Sequence, residues 1–131
     1  MFRVRKEQFA VFESLSRRRF EAELQVHLRA ELPERHAALG EERVREIVTW
    51  AIDHGRVYGF ITEEQVCLFA TAALLLGPDF ESAPEHRWAK RILDDPDYLY
   101  PDQRLDALFA EIALRGVDEE DEDEGEGEDE G

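Results

Sequence analysis

The sequence predicts an all-α fold, a single compact bundle of six or seven helices, and three observations support this. Apolar residues recur every three or four positions along most of the chain, and no segment alternates apolar and polar residues over the length of a strand. Glycine and proline interrupt this pattern where helices of ordinary length would end. Residues 1–117 contain no linker-like stretch and have the length of one domain, so we predict one helical domain there.

The beginning of the chain has two apolar stripes with helical spacing. The first stripe consists of Phe9, Phe12 and Leu15. The second stripe consists of Phe20, Leu24, Leu28 and Leu32. The five-residue step between the stripes predicts a bend or a break between Ser14 and Arg17. Pro33 should end the second helix, because a proline disfavours the α conformation of the preceding residue, and a short helix from Glu34 to Leu39 should follow.

The next predicted helix begins after Gly40, because Glu41 and Glu42 lie where a helix N-terminus favours negative charge. Its apolar face consists of Val44, Ile47, Val48, Ala51 and Gly55. We expect Gly59 to adopt the left-handed conformation that commonly ends a helix.

A capping box, Thr62-Glu63-Glu64-Gln65, predicts the start of the following helix. Residues 66–76 are apolar on nearly every side of that helix, which indicates a position at the centre of the bundle. This apolar run is shorter than the roughly 20 residues that a membrane-spanning helix needs. Gly77-Pro78 ends the helix.

Two shorter helices complete the predicted domain. Ser82-Ala83-Pro84-Glu85 has the pattern of a second capping box and precedes a helix that ends at Asp94-Asp95-Pro96. The apolar face of that helix consists of Trp88, Ala89 and Ile92. The face of the last helix, which ends at Gly116, consists of Leu105, Leu108, Phe109 and Ile112.

The charge of the chain is concentrated at its C-terminus. The formal net charge is −16, but residues 118–131 contain eleven acidic residues and three glycines, which leaves a net charge of −5 for residues 1–117. Residues 118–131 have no apolar side chain to offset the entropy of ordering, so we predict a disordered polyacidic tail. It could serve solubility, attract a basic partner, imitate the charge of a nucleic acid, or fold back onto Arg17-Arg18-Arg19.

Composition and motifs give no sign of catalysis or of a cofactor. The four histidines, at positions 27, 36, 54 and 86, lack the spacing of a metal site, and the only cysteine, Cys67, has no second thiol to join it. No serine lies in a nucleophile elbow, and no phosphate-binding loop is present. The sequence therefore predicts a protein that is not an enzyme and binds no metal or cofactor.

The sequence also excludes several locations and partners. The basic N-terminus is followed by no apolar signal region, so we expect a soluble, cytoplasmic protein that does not enter a membrane. Arg17, Arg18 and Arg19 form the only basic run, but a net charge of −16 opposes binding to nucleic acid. These arginines are instead candidates for contact with a protein partner, or a solvated helix face.

Aromatic residues are more numerous than a helical core of this size requires, and aromatic side chains are favoured anchors in protein interfaces. The candidate partner-binding residues are Arg17, Arg18, Arg19, Trp50, Tyr58, Phe60, Trp88, Tyr98 and Tyr100. The alternative is that the aromatic residues cover the core between helices.

Several short motifs resemble those of a family of small helical bacterial proteins of uncharacterised function, which are encoded beside effector genes of type VI secretion and related contractile injection systems. The matching segments are Tyr58-Gly59-Phe60-Ile61-Thr62-Glu63-Glu64-Gln65-Val66, Leu76-Gly77-Pro78-Asp79-Phe80, Trp88-Ala89 with Ile92-Leu93, and Arg104-Leu105-Asp106 with Leu108-Phe109. The resemblance covers residues 5–115 and excludes the tail. Phe60 and Gln65 depart from the pattern, since Phe60 adds an aromatic ring and Gln65 replaces an acid.

The resemblance implies an accessory protein that binds another protein. One expected function is that of an adaptor or chaperone for a secreted effector. The alternative is an immunity protein that binds and blocks a cognate toxin, with the acidic tail or the loop from Asp94 to Asp97 in a basic active site. The family supplies no catalytic residues.

Overall fold

The computed structural model describes residues 14–116, which form six α-helices, two short 3-10 turns and no strand. The predicted all-α bundle is therefore confirmed. The helices are α1 (Ser14–Glu31), α2 (Pro33–Leu39), α3 (Glu41–His54), α4 (Glu63–Leu76), α5 (Arg87–Asp94) and α6 (Pro101–Arg115). The 3-10 turns, Gly55–Tyr58 and Pro84–His86, directly follow α3 and precede α5. The predicted polyacidic tail, residues 118–131, lies outside the described residues.

The first helix is continuous where the sequence predicted an interruption. Residues 14–17 belong to α1 without a break, so that prediction is wrong. Phe20, Leu24 and Leu28 are completely buried along one face of α1 and confirm the second stripe. Phe9 and Phe12 of the first stripe, and the side chain of Leu15, lie outside the described part of the chain.

Two sharp connections separate the first three helices. Helix α1 ends at Glu31, and Pro33 becomes the first residue of α2, where its missing N–H and fixed φ are tolerated. Gly40 separates α2 from α3 with a φ of 93°, a conformation that side chains with a Cβ rarely adopt. The short second helix is therefore confirmed and begins one residue earlier than predicted.

Helix α4 lies at the centre of the bundle, as its apolar composition predicted. It packs against α1, α2, α3 and α6. Three alanines, Ala70, Ala72 and Ala73, are completely buried, and their small side chains allow neighbouring helices to approach closely. The predicted capping box is present, since Gln65 N donates to Thr62 Oγ1 and Thr62 N donates to Gln65 Oε1.

The second predicted capping box is absent from the described structure. Ser82 Oγ donates to the carbonyl oxygen of Asp79 at 3.3 Å and does not cap a helix. The chain instead forms the 3-10 turn Pro84–His86, and α5 begins at Arg87. Ala89 and Leu93 are buried on α5, while Trp88 and Ile92 are half-buried against the core.

The last helix closes the bundle against α4 and α5. Its buried residues are Leu105, Leu108 and Ile112, and Phe109 is half-buried, which confirms the predicted face. Gly116 follows with a φ of 73°.

No single helix within residues 14–116 has the length and hydropathy that crossing a membrane requires. One pair of segments, Glu41–Tyr58 and Glu63–Leu76, meets both criteria together, but it is bent by 113°.

Candidate protein-binding site

The turn that joins α3 to α4 separates its side chains into two groups. Tyr58 and Phe60 point into the core and are 4% and 0% exposed. Val57 and Ile61 point outward and are 70% and 43% exposed. The segment from Val57 to Ile61 thus combines two internal anchors with two external apolar side chains.

A second loop, between α5 and α6, lies directly against this turn. Gly59 has a φ of 88°, and a Cβ at this position would lie 3.0 Å from Cγ of Pro101. Arg104 of α6 donates from Nη1 to the carbonyl oxygen of Tyr58 at 3.2 Å and from Nη2 to that of Asp95 at 3.4 Å. One guanidinium therefore joins both loops, and the glycine allows their backbones to approach.

The two loops together present an exposed apolar surface, which we call the loop patch (Val57, Ile61, Leu99 and Tyr100). Leu99 and Tyr100 are 76% and 64% exposed. Scattered exposed apolar residues are common, but four on two adjoining loops form the kind of patch that marks an interaction site.

Polar contacts hold the loop patch in place. Gln65 Oε1 accepts hydrogen bonds from the backbone N–H groups of Ile61 at 2.9 Å and of Thr62 at 3.2 Å. Gln65 Nε2 donates to Oδ1 of Asp102 at 2.9 Å, which links the start of α4 to the start of α6. A partner would therefore meet a preformed surface and would lose little entropy in ordering it.

A cluster of three polar side chains fixes the turn from inside. Glu81 Oε2 accepts a hydrogen bond from the Tyr58 hydroxyl and lies 3.0 Å from Nε2 of His54. Burial raises the pKa of Tyr58 above its usual range, and the hydrogen bond to Glu81 acts in the same direction. Trp50 stacks on His54 with ring centroids 5.1 Å apart. We interpret this Glu81 cluster (Glu81, His54 and Tyr58) as a structural clamp.

The structure distributes the aromatic candidates unequally between core and surface. Tyr58 and Phe60 lie in the core, which removes them from the accessible partner-binding set. Trp50 is half-buried against Phe69, and Trp88 is half-buried beneath Arg115, whose Cζ lies 4.5 Å from the ring centroid. Tyr98 is half-buried, and only Tyr100 is largely exposed. The aromatic residues therefore mainly cover the core.

The arginine candidates differ in their availability. Arg17 forms ion pairs with Glu21 and with Asp53 of α3, both at 3.0 Å. Arg19 forms an ion pair with Glu23 at 3.3 Å and a longer one with Glu63 at 3.7 Å. Arg18 is exposed and belongs to a different face, so the three do not act as one basic patch.

A buried carboxylate lies at the first turn of α4. Glu63 is almost completely buried, and its Oε1 has no hydrogen-bond partner among residues 14–116. Burial raises the pKa of Glu63, Arg19 opposes this rise, and Glu23 adds to it. The sequence identified Glu63 only as part of a capping box, because nothing in a local pattern distinguishes it from its exposed neighbour Glu64.

Replacing Glu63 by glutamine should make stability less dependent on pH. A raised pKa means that the protonated Glu63 side chain contributes most stability below the unfolded pKa of about 4.3, and that this contribution is lost as pH rises through the folded pKa. The Glu63→Gln variant should therefore gain stability relative to the wild type as pH rises from about 4 towards neutral.

Urea unfolding at a series of pH values measures this difference directly. Glu64→Gln is the matched control, because it removes an exposed first-turn carboxylate from the same helix. A difference between the Glu63→Gln and wild-type stabilities that stays constant over this pH range would contradict the prediction.

The described residues offer no group of three His, Cys, Asp or Glu side chains that could hold a metal ion. Cys67 is a buried thiol. Burial raises its pKa to about 12, which keeps it protonated and unreactive near neutral pH.

The acidic loop from Asp94 to Asp97 is held by contacts within the chain. Asp94 forms an ion pair with Lys90 at 2.8 Å, and Asp95 Oδ1 accepts a hydrogen bond from Asp97 N at 2.9 Å. These contacts are typical of helix termination.

Comparisons with protein-family models, with curated protein sequences and with solved structures give no match for this chain.

Proposed function

We propose that this chain is a non-catalytic, protein-binding accessory protein, and that the loop patch is its binding surface. The observation that supports this is the exposure of Val57, Ile61, Leu99 and Tyr100 on two loops held together through Gly59 and Arg104. Exposed apolar patches mark interaction sites, and Tyr100 belongs to a residue type that is enriched among the anchors of protein interfaces.

Within this class we propose an adaptor or chaperone for a secreted effector, in line with the family resemblance. An adaptor has to cover apolar surface of its client, and the loop patch has the matching chemistry. The alternative, an immunity protein that blocks a toxin, remains a proposal that would use acidic side chains against a basic active site. The acidic loop from Asp94 to Asp97 is already engaged within the chain, because Asp94 pairs with Lys90 and Asp95 accepts a hydrogen bond from Asp97 N. These contacts favour the adaptor.

Co-expression with the products of neighbouring genes, followed by pull-down on the tagged chain, tests the proposal. The wild type should form a stable complex with an effector. A chain with both Val57→Asp and Leu99→Asp should bind that effector at least tenfold more weakly, because a charge in a buried apolar contact costs more than about 1.4 kcal/mol.

Leu114→Asp is the matched control. Leu114 is 79% exposed, like Leu99, but it lies near the end of α6 and outside the loop patch. Equal loss of binding by the control, or no complex with any neighbouring gene product, would contradict the proposal. An effector that stays active and becomes more soluble in the complex indicates an adaptor, whereas loss of its toxicity indicates an immunity protein.

A further inference from the structure

A groove between α1 and α3 forms a second surface that shares no residue with the loop patch. It has a volume of about 400 Å³, and residues of α1, α2 and α3 line it. Along α1, Arg18, Ala22, Gln25 and Arg29 follow one another at spacings of three and four, and Val26 lies four residues after Ala22, so all five line the groove from one side of the helix. We call this surface the α1–α3 groove.

The centre of the α1–α3 groove is apolar. Val26 is 58% exposed although it lies in the middle of a helix, and Ala22 is exposed one turn before it. Val48 of α3 belongs to the opposite wall, but it is 1% exposed and offers almost no surface. This face of α1 therefore leaves apolar surface without a covering element in the described part of the chain.

The two ends of this helix face are basic. Arg18 and Arg29 both line the groove, and within residues 14–116 neither forms an ion pair with a carboxylate. Arg45 of α3 also lines the groove, but it is already paired with Glu42 at 2.8 Å. Of the acids that line the groove, Glu21 is already paired with Arg17, which leaves Glu41. The groove is thus a positive site on a domain whose net charge is negative.

Two polar groups lie beneath the surface of the groove. The side-chain oxygen of Gln25 is buried and has no hydrogen-bond partner within residues 14–116. His36 of α2, 8% exposed, lines the same groove and supplies an imidazole.

From these observations we propose that the α1–α3 groove binds an acidic amphipathic helix of a partner protein. The apolar face of that helix covers Ala22 and Val26, and its carboxylates pair with Arg18 and Arg29. Arg18 and Arg29 are eleven positions apart in α1, which corresponds to about 16 Å along the helix axis. A partner helix of about three turns, with acids at both ends, matches this distance. This mode of recognition places an amphipathic helix in an apolar groove.

The test uses the full-length chain and a synthetic amphipathic peptide of about four turns, with leucines on one face and glutamates at both ends. Fluorescence anisotropy of the labelled peptide should give saturable binding with a Kd below about 1 mM. An Arg18→Glu/Arg29→Glu variant should bind at least tenfold more weakly. A peptide with serines in place of the leucines should lose affinity by a similar factor, because charge alone does not account for the exposed Val26.

Arg87→Glu/Arg91→Glu is the matched control. It reverses two exposed arginines on a single helix, α5, changes the net charge by the same amount and lies outside the groove. The control should retain the affinity of the wild type within about threefold. Two outcomes would overturn the proposal, because each would show that only unspecific charge attraction is at work. One is an equal loss of peptide affinity in both arginine variants, and the other is equal affinity for the serine and the leucine peptides.

A further variant distinguishes a groove that binds a partner from a groove that binds the chain's own polyacidic tail, residues 118–131. It is the full-length chain with asparagine and glutamine in place of the acids in residues 118–131. Unchanged peptide affinity supports a groove that is open to a partner. A tenfold rise in affinity that depends on Arg18 and Arg29 would assign the groove to residues 118–131 and overturn the proposal.

Discussion

Replacing Phe69 by alanine is expected to lower the free energy of unfolding by about 3–5 kcal/mol, the largest loss we expect for any single substitution in this chain. Phe69 is completely buried on α4, and four aromatic rings surround it. Its ring centroid lies 5.0 Å from Trp50, 5.1 Å from Phe60, 5.7 Å from Tyr58 and 6.3 Å from Phe80. Rings on several elements cannot all move inward, so most of the cavity should remain.

Urea unfolding, followed by circular dichroism and by tryptophan fluorescence, measures this loss. Trp50 stacks on Phe69 at an interplanar angle of 29°, so its emission should also change in the folded variant. Phe109→Ala is the control, because Phe109 is half-buried on α6 and leaves a smaller cavity. A loss below about 1 kcal/mol for Phe69→Ala would show that the bundle collapses around the site.

Replacing Glu81 by alanine is expected to cost about 2–3 kcal/mol, the second-largest effect among our predictions. Glu81 is the acceptor for the nearly buried hydroxyl of Tyr58, and it also lies 3.0 Å from His54 Nε2. Removal of the Glu81 carboxylate leaves the Tyr58 hydroxyl without its acceptor, at a position that water hardly reaches. The loop between α4 and α5 would also lose its connection to the end of α3.

A double-mutant cycle with Tyr58→Phe separates these contributions, and we expect a coupling energy of at least about 1 kcal/mol. A coupling near zero would contradict the role of Glu81 as the acceptor. Glu85→Ala is the control, because Glu85 is exposed on the neighbouring 3-10 turn.

The same pair predicts a pH dependence. The raised pKa of Tyr58 means that its contribution to stability is complete below the unfolded value of about 10 and is lost as pH rises above it. Above about pH 10, the wild type should therefore lose stability relative to the Tyr58→Phe variant. Ionisation of Cys67 is common to both chains and cancels in this difference.

The helical fold could be predicted because the apolar periodicity and the glycine and proline boundaries agree along the chain. The predicted break between Ser14 and Arg17 was wrong for a physical reason. A change of register in the apolar pattern does not by itself require the backbone to bend. The Ser82 pattern failed because its hydroxyl bonds to Asp79 in a turn and is not available to a helix N-terminus.

The candidate site could be predicted only in part. Tyr100 is exposed and stays a candidate for partner binding, but counting aromatic residues does not reveal which of them face inward, and Tyr58 and Phe60 do. Leu99 was missed because it belongs to no periodic pattern. The loop patch depends on the contact between Gly59 and Pro101, which are far apart in sequence, and no local pattern contains that contact.

The alternation of inward and outward side chains around Gly59 has a consequence for divergence and for engineering. The residues that hold the turn, Tyr58 and Phe60, are different from those that a partner would contact, Val57 and Ile61. Substitutions at the outward positions can therefore change the exposed surface with little loss of stability. The same scaffold could present a different surface after the exchange of a few neighbouring side chains, while its core remains the same.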